Sequence, residues 1–301
     1  MFPKKQAALI MTDKPIIIST PQPLLVALSE IYHGASNNTL KNLLKNRRIS
    51  INGTPVLKGS HELQAGDILT ITPAYRKISG GIEIIYEDKD LVIINKPEGL
   101  LCVPLDTGSA MHALGILRRH YHNSPVWAVH RIDRETSGIM IFARNDASFS
   151  RLKDMFKNHD FIRTYIGIVL GALTEQKGTW KSYLTEVNEC EVISTNEPHN
   201  GKLAITHFET ISQTPNYTFL KIRLETGRKH QIRVHCRENR HPIVGDRKYC
   251  IPLADPIHRL CLHAYCLEFS HPSSGKPMSF YAPLPQQFAA LGLPDKKLRT
   301  L

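Results

Sequence analysis

Residues 126–142, VWAVHRIDRETSGIMIF, place a polar nonapeptide between two apolar runs. The runs Val126 to Val129 and Ile139 to Phe142 predict two strands, so a sheet would present the residues between them as a loop. Gly138 can adopt the backbone angles that end such a loop. Because loops held by rigid elements often carry catalytic groups, the stretch predicts a functional loop. The alternative is a surface turn that contains an ion pair.

A second polar cluster, LETGRKHQIRVH, occupies residues 224–235. Tyr217 to Leu224 predicts a strand, Thr226 and Gly227 a turn, and the residues from His230 onward a helix. The helix would therefore begin among basic side chains. A ligand-binding role and a plain solvated helix end fit this pattern equally well.

The two clusters together resemble the signature pair of the RluA-type RNA pseudouridine synthases. The matching residues are His130-Arg131-x-Asp133-x-x-Thr136-Ser137-Gly138 and Gly227-Arg228-x-His230-Gln231-x-Arg233-x-His235. Further pieces follow in the order of that family: Asn95-Lys96-Pro97-x-Gly99, Arg163-x-Tyr165, Lys202-x-Ala204-x-Thr206, Gly245-Asp246-x-x-Tyr249, Leu262-His263-Ala264 and Phe280-x-Ala282-Pro283-Leu284-Pro285. The resemblance covers about residues 82 to 285.

The resemblance implies an isomerase that detaches uracil from C1′ of a uridine in RNA, turns the base and rejoins it through C5. It implies neither a cofactor nor a metal. By resemblance Asp133 is the essential carboxylate, Arg233 is its ionic partner, and Tyr165 stacks on the target base. Arg131 resembles the arginine that helps to displace the nucleotide from its stack. Attack on C1′, attack on the base and removal of the C2′ proton stay open as roles of Asp133, and all three require an ionised carboxylate.

The charge of the chain favours a polyanionic partner. There are 38 Lys and Arg against 27 Asp and Glu, which gives a formal net charge of +11. Residues 31–61 contain no Asp or Glu, and Lys41, Lys45 and Arg48 would share one helical face there. The predicted RNA-binding residues are Arg131, Arg228 and His230 near the carboxylate, and Lys41, Lys45, Arg47 and Arg48 in the acid-free stretch.

The acid-free stretch also has the element pattern of a small domain. Thr39 to Arg47 predicts a short helix, Ile49 to Val56 a strand with an Asn-Gly turn, and Leu63 to Ile71 a second turn and strand. This pattern resembles an S4-type RNA-binding domain. Residues 21–25, PQPLL, lack the charged helix start that is usual in that family. A generic small α+β cap is the alternative.

We expect a leader at residues 1–20, an S4-like RNA-binding domain at 21–75, a linker at 76–81 and a catalytic domain at 82–301. The catalytic domain is predicted to be α+β, with a mixed, largely antiparallel sheet, and the S4-like domain to be a small α+β unit. Residues 177–201 are interpreted as a surface excursion, with a hairpin that varies with the substrate as the alternative.

Composition excludes several other classes of protein. There is no run of 18 apolar residues and no convincing signal peptide, so we expect a cytoplasmic protein without a membrane partner. The six cysteines form no Cys-x-x-Cys pair and the 15 histidines are scattered, which predicts no metal site and no disulfide framework. We also expect a monomer.

The resemblance implies ribosomal RNA as the substrate, with transfer RNA as the alternative, because S4-bearing members of the family act on ribosomal RNA in many cases and on transfer RNA in others. The target uridine stays open, because RNA is recognised through shape and splayed loops rather than through a short protein motif. Two other functions stay open. A catalytically silent RNA-binding protein could use the same fold, and a glycosidase would release free uracil. A glycosidase usually needs paired carboxylates, and Glu135 is the only second acid close to Asp133 in the sequence.

Overall fold

The computed structural model describes residues 16–32, 35–45, 48–52, 54–71, 75–105, 111–122, 124–187, 191–195, 197–250 and 255–292. The described residues divide into two compact units, one within residues 16–71 and the other from residue 75 to residue 292. In the described parts, no helix is long and apolar enough to cross a membrane.

The first unit packs two helices against short strands. Its elements are β1 (Ile16–Ile17), β2 (Gln22–Pro23), α1 (Leu24–Ile31), α2 (Asn37–Lys45), β3 (Ile49–Ile51), β4 (Thr54–Pro55), β5 (Glu62–Leu63) and β6 (Ile68–Ile71). One sheet has the order β1-β6-β3-β4, and β2 pairs with β5. The buried leucines Leu40, Leu43 and Leu44 of α2 face the core of this unit, as their helical spacing predicts.

Three details of the first unit differ from the sequence prediction. Ile16 pairs with Leu69, so the predicted leader contains a strand of this unit. Helix α2 begins earlier than predicted because Ser36 Oγ accepts the Thr39 N–H at 3.2 Å and caps it. The helix also ends at Lys45, so Arg48 does not share a helical face with Lys41, and that prediction is wrong.

The second unit is built on one twelve-stranded sheet. Its strands are β7 (Arg76–Lys77), β8 (Glu83–Glu87), β9 (Leu91–Lys96), β10 (Trp127–Ala128), β11 (Ser137–Ala143), β12 (Ile162–Leu170), β13 (Lys177–Glu186), β14 (Val192–Thr195), β15 (Lys202–Gln213), β16 (Tyr217–Leu224), β17 (Leu262–Ser270) and β18 (Pro277–Tyr281). Its α-helices are α3 (Ala113–His120), α4 (Asp146–Lys157) and α5 (Gln231–Glu238).

The order of this sheet is β14-β13-β15-β16-β12-β17-β11-β9-β8-β7, with β10 on β11 and β18 on β17. Only β11 and β17 pair in parallel among the described strands, and the remaining pairs are antiparallel. The sheet is therefore mixed and largely antiparallel, which confirms the predicted α+β class.

Strand β11 is buried along its whole length and follows the polar loop directly. Its parallel contact with β17 requires Gly138, whose φ is +113° and where a Cβ would lie 2.1 Å from the carbonyl oxygen of Ala264. Any other residue would collide with the backbone of β17. Gly138 therefore fixes the end of the loop that carries Asp133.

The segment 177–201 and the predicted linker both belong to this sheet. Strand β13 pairs with β14 and with β15, so residues 177–201 contain a hairpin at the sheet edge, and the interpretation as a plain excursion is wrong. Strand β7 pairs with β8, which places part of the predicted linker inside the second unit. Backbone hydrogen bonding across strands, which local composition does not reveal, accounts for both differences.

Candidate active site

A cleft of about 480 Å³ lies where three elements of the second unit meet. The polar loop before β11 contributes Asp133, strand β12 contributes Tyr165, and the start of α5 contributes Arg233. These three residues are about 30 to 100 positions apart in the chain, and the sheet topology brings them together. The cleft is within the size range of small-molecule sites, so it can receive a single nucleotide.

Arg233 is the charged centre of the cleft. Its Nη1 lies 3.4 Å from Asp133 Oδ2 and its Nη2 lies 3.4 Å from Glu135 Oε2. Behind it, the fully buried Asp246 accepts hydrogen bonds from Nε and Nη2, both at 2.8 Å. Two-point binding of this kind fixes the plane of a guanidinium. Asp246 thus holds Arg233 in place, and Arg233 meets Asp133 with its remaining nitrogen.

The protonation state of Arg233 follows from these contacts. Burial of the guanidinium alone would lower its pKa, but the hydrogen bonds and charge of Asp246, together with the charges of Asp133 and Glu135, raise the pKa of Arg233 above its ordinary value. Arg233 therefore presents a permanent positive charge to the Asp133 carboxylate. Asp133 itself is partly open to the cleft, with 23% of its side chain exposed.

Tyr165 lies on β12 where the pairing with β17 shifts register between Thr164 and Tyr165. It is nearly buried, and its ring lines the cleft together with Asp133. Burial, with a smaller contribution from the Asp133 charge, raises the pKa of Tyr165 to about 12. The hydroxyl is therefore protonated at neutral pH, and the residue offers an aromatic surface to a ligand.

Four histidines of the second unit, two buried and two half-buried, are uncharged at neutral pH. Burial lowers the pKa of His130 and of His263 to about 3, and the pKa of His230 and of His235 to about 4. His130 has a structural role: its Nε2 accepts the Ile141 N–H at 3.1 Å. The first residue of the polar loop therefore fixes the loop to β11.

Lys96 is a residue whose role the sequence did not reveal. It is fully buried at the end of β9, and its ammonium donates to the carbonyl oxygens of Pro97, Leu100 and Arg134 at 2.9–3.0 Å. Burial lowers its pKa to about 8. Because Arg134 directly follows Asp133, Lys96 joins the loop that carries Asp133 to the segment from Pro97 to Leu100. Lys96 belongs to the family motif Asn95-Lys96-Pro97, but no pattern in the sequence showed where its side chain points.

A second buried polar group fixes the other end of the loop. The Arg259 guanidinium donates to Ser137 Oγ at 2.8 Å, and the same hydroxyl lies 2.8 Å from His263 Nδ1. Glu98 Oε2 lies 3.4 Å from Arg259 Nε. Sequence reasoning gave Arg259 no role, because its partners lie far away in the chain.

Gln231 organises the turn before α5. Its amide oxygen accepts from the Thr226 hydroxyl at 2.8 Å and from the Arg228 N–H at 2.9 Å, while its amide nitrogen donates to Ile205 O and to Thr206 Oγ1. Two of these bonds hold residues of the turn and the other two reach β15, so Gln231 joins the turn to that strand. The second motif therefore builds a rigid mount for the residues of α5 that enter the cleft.

The predicted RNA-binding residues fall into two groups. Arg131, Arg228 and His230 line the cleft; the first two are exposed, and Arg228 Nε donates to Leu203 O at 2.9 Å. Lys41 is exposed on α2, and Arg48 is half-buried in the first unit. Arg47 and the side chain of Lys45 lie outside the described residues.

One group of possible metal ligands occurs among the described residues. Asp88, Asp90 and His271 place their ligand atoms within 4.8 Å of one another, and none of the three lines the cleft. Hydrogen bonds within the protein already engage both carboxylates, for example from the Tyr86 hydroxyl to Asp88 and from the Asn145 amide to Asp90. The absence of a metal from the reaction stays a prediction.

Comparison with known proteins identifies the family. The family model for RNA pseudouridylate synthase matches residues 90–238. The ribosomal large subunit pseudouridine synthase D of Buchnera aphidicola is 33% identical over 90% of this chain and 93% of that protein. The chain belongs to the RNA pseudouridine synthases. This synthase is also 30% identical to the Escherichia coli protein named ribosomal large subunit pseudouridine synthase D, over 90% of this chain and 89% of the relative.

The fold comparison agrees with the family. The solved structure of human RNA Pseudouridylate Synthase Domain Containing 4 superposes with a TM-score of 0.57 over 68% of this chain and 90% of that chain, at 24% identity. This likeness supports the pseudouridine synthase fold. As a member of the family the protein is an isomerase, as the two sequence motifs predicted.

Proposed function

We propose that this synthase converts uridines of large-subunit ribosomal RNA to pseudouridine, and that Asp133 is its essential carboxylate. The names of the Buchnera and Escherichia coli relatives support the choice of RNA, since both carry the words ribosomal large subunit. The observation that carries the role of Asp133 is its position in the cleft, 3.4 Å from a buried guanidinium that Asp246 holds in place.

The geometry accounts for the three tasks of the reaction. Asp133 supplies the ionised carboxylate, and Arg233 stabilises its charge without covering it. Tyr165 offers a ring on which a displaced base can stack, an interaction of about 1 to 3 kcal/mol per base. A target base inside a helix must leave its stack at a cost of a few kcal/mol. Arg131, exposed beside Asp133, is placed to occupy the vacated space.

The charges around the cleft favour entry of a polyanion despite the carboxylate. Among the described lining residues, Asp133 is the only carboxylate, and five lining side chains are cationic: Arg131, Lys157, Arg163, Arg228 and Arg233. Contacts of lysine and arginine with phosphates supply most of the affinity for nucleic acid. The rim can therefore hold the RNA backbone while a single nucleotide reaches the acid.

We also propose that the first unit binds RNA in the manner of an S4-like domain. The exposed Lys41 on α2 supports this role. Salt dependence of RNA binding is measured as the slope of the logarithm of the binding constant against the logarithm of the salt concentration. Replacing Lys41 with alanine is expected to reduce the magnitude of this slope by about 0.7 to 0.9. The matched control is Lys89→Ala, at an exposed lysine of the second unit outside the cleft. An equal slope for Lys41→Ala and wild type would contradict the proposal.

Tritium release from C5-labelled uridine tests the function directly. We expect the wild-type protein to release tritium from large-subunit ribosomal RNA, with no free uracil, and Asp133→Asn to bind the RNA without release. The control is Asp146→Asn, which makes the same change at an exposed carboxylate outside the cleft. Release by Asp133→Asn would refute the role of this carboxylate. Release from transfer RNA alone would favour the tRNA-directed alternative, and free uracil would indicate a glycosidase.

A further inference from the structure

The loop that follows Ile243 contacts two lining residues of the cleft through its side chains Asp246 and Tyr249. Gly245, with φ of +73°, allows a tight turn, since a Cβ there would lie 1.8 Å from the Arg259 carbonyl oxygen. Asp246 Oδ1 then accepts the N–H groups of Lys248 and Tyr249, both at 3.0 Å. The loop is thus rigid, and it directs Asp246 to Arg233 and Tyr249 to a second residue of the cleft.

That second residue is His230, whose Nδ1 lies 2.8 Å from the Tyr249 hydroxyl. Tyr249 is 3% exposed, and burial raises its pKa, so it keeps its proton at neutral pH. Its oxygen already accepts the Val192 N–H at 3.2 Å. The hydroxyl proton needs an acceptor of its own, and His230 Nδ1 is the only one that the described residues provide. His230 must then carry its proton on Nε2.

The position of His230 allows its Nε2–H group to donate a hydrogen bond to a ligand. It begins α5 in the left-handed conformation, with φ of 53°. Its half-buried ring lines the cleft that contains Tyr165 and also the neighbouring cleft on the other side of Asp133. No described residue forms a hydrogen bond with its Nε2. Burial lowers the pKa of His230 to about 4, so the ring is neutral at physiological pH.

We propose that His230 is a neutral hydrogen-bond donor, locked in its Nε2–H tautomer by Tyr249, that binds an acceptor oxygen of the target nucleotide. The proposal rests on the proposed function. A neutral donor has a clear advantage beside Asp133, because an imidazolium would pair with the carboxylate that the reaction needs. Tyr249 is then a positioning residue: it touches no substrate and acts through the tautomer of His230.

The tautomer can be measured without RNA. Nitrogen-15 NMR of protein labelled at histidine distinguishes the two neutral tautomers and the imidazolium, and the His230 signals are those that vanish in His230→Gln. At pH 7.5 we expect the Nε2–H form in the wild type and a mixture of tautomers in Tyr249→Phe. A cationic ring or the Nδ1–H form in the wild type would overturn the proposal.

Kinetics with labelled RNA test the donor role. Loss of one neutral hydrogen bond predicts a fall in kcat of about 3-fold to 10-fold for Tyr249→Phe. KM for RNA should stay within about 2-fold, because phosphate contacts supply most of the affinity. We expect His230→Ala to lose at least as much, and His230→Gln, which keeps a donor of similar reach, to regain part of the loss. Tyr249→Phe should have no further effect in the His230→Ala background.

Tyr86→Phe is the matched control, since its hydroxyl donates to Asp88 at 2.8 Å outside the cleft. Thermal unfolding should confirm that all variants are folded. A folded Tyr249→Phe with wild-type kcat would overturn the proposal and leave the proposed function intact. A wild-type protein that forms no pseudouridine in any RNA would refute the proposed function and the donor role with it, whatever the tautomer.

Discussion

Replacing Asp246 with asparagine tests whether a buried carboxylate positions Arg233. Asp246 is fully buried and accepts two hydrogen bonds of 2.8 Å from Arg233. In Asp246→Asn an amide N–H₂ group replaces one oxygen and faces a guanidinium donor. Breaking a buried ion pair costs about 3 to 5 kcal/mol. In this variant Arg233 keeps two contacts of 3.4 Å, to Asp133 and Glu135. We therefore expect the free energy of unfolding to fall by about 3 kcal/mol, the lower end of that range.

For a unit of about 220 residues, each kcal/mol lowers Tm by roughly 2 to 4 °C, so the expected loss is about 6 to 12 °C. A loosened Arg233 should also lower kcat, on the order of 100-fold. Asp133→Asn should abolish turnover but keep stability within about 1 kcal/mol of wild type, because it leaves the ion pair between Arg233 and Asp246 intact. Circular dichroism melts and tritium release measure the two quantities, with Asp146→Asn as the control.

A fall in Tm of less than about 3 °C for Asp246→Asn would refute the reasoning, since the buried pair would then contribute little to folding. Equal stability losses in Asp246→Asn and Asp133→Asn would refute it as well. In that case Asp133 would carry the structural role that we assign to Asp246.

Three further predictions follow from the same contacts. Tyr165→Leu should lower kcat/KM by about 5-fold to 150-fold through lost stacking, and Tyr165→Phe should retain RNA affinity; equal affinities of both variants in filter binding would contradict this. Gly138→Ala should destabilise the protein by more than about 3 kcal/mol through its clash with β17, whereas Gly275→Ala, also at positive φ but with open space around it, should cost about 1 to 2 kcal/mol in urea unfolding. The four histidines named above have folded pKa values below the unfolded value of about 6.5, so the unfolded state binds more protons as pH falls and stability is lost below that pH. From pH 7 to 5.5 we expect a loss of about 1 kcal/mol for each of the buried His235 and His263 and less for the half-buried His130 and His230, so His235→Gln should remove at least a quarter of this dependence.

The elements that local pattern controls were predicted well. Tyr217 to Leu224 is a strand with the predicted bounds, and the helix predicted from His230 onward begins at Gln231. Hydrophobic periodicity and the turn residues between them are sufficient for such elements. The hairpin at 177–201 was only the alternative prediction, because its strands alternate partly exposed residues at a sheet edge and only pairing with β15 orders them.

The roles of Asp133, Tyr165 and Arg233 stay predictions. The family motifs predicted that these residues act together, and the structure has all three in one cleft. The motifs gave no role to Lys96 or Arg259, because the three carbonyl groups around Lys96 and the Ser137 hydroxyl beside Arg259 come from distant segments. Such contacts follow from tertiary packing, and spacing in a sequence does not contain them.

The arrangement around Arg233 resolves a conflict between catalysis and RNA binding. The proposed role of Asp133 needs an ionised carboxylate, yet a carboxylate repels phosphate. A single mobile arginine could cover Asp133 completely and make it unreactive. Here Asp246 occupies two nitrogens of Arg233, which leaves a longer 3.4 Å contact for Asp133. Arg131 and Arg228 are exposed at the rim, where we propose that they meet the phosphates. In this proposal the buried guanidinium stabilises the carboxylate, and the exposed guanidinium groups bind the RNA.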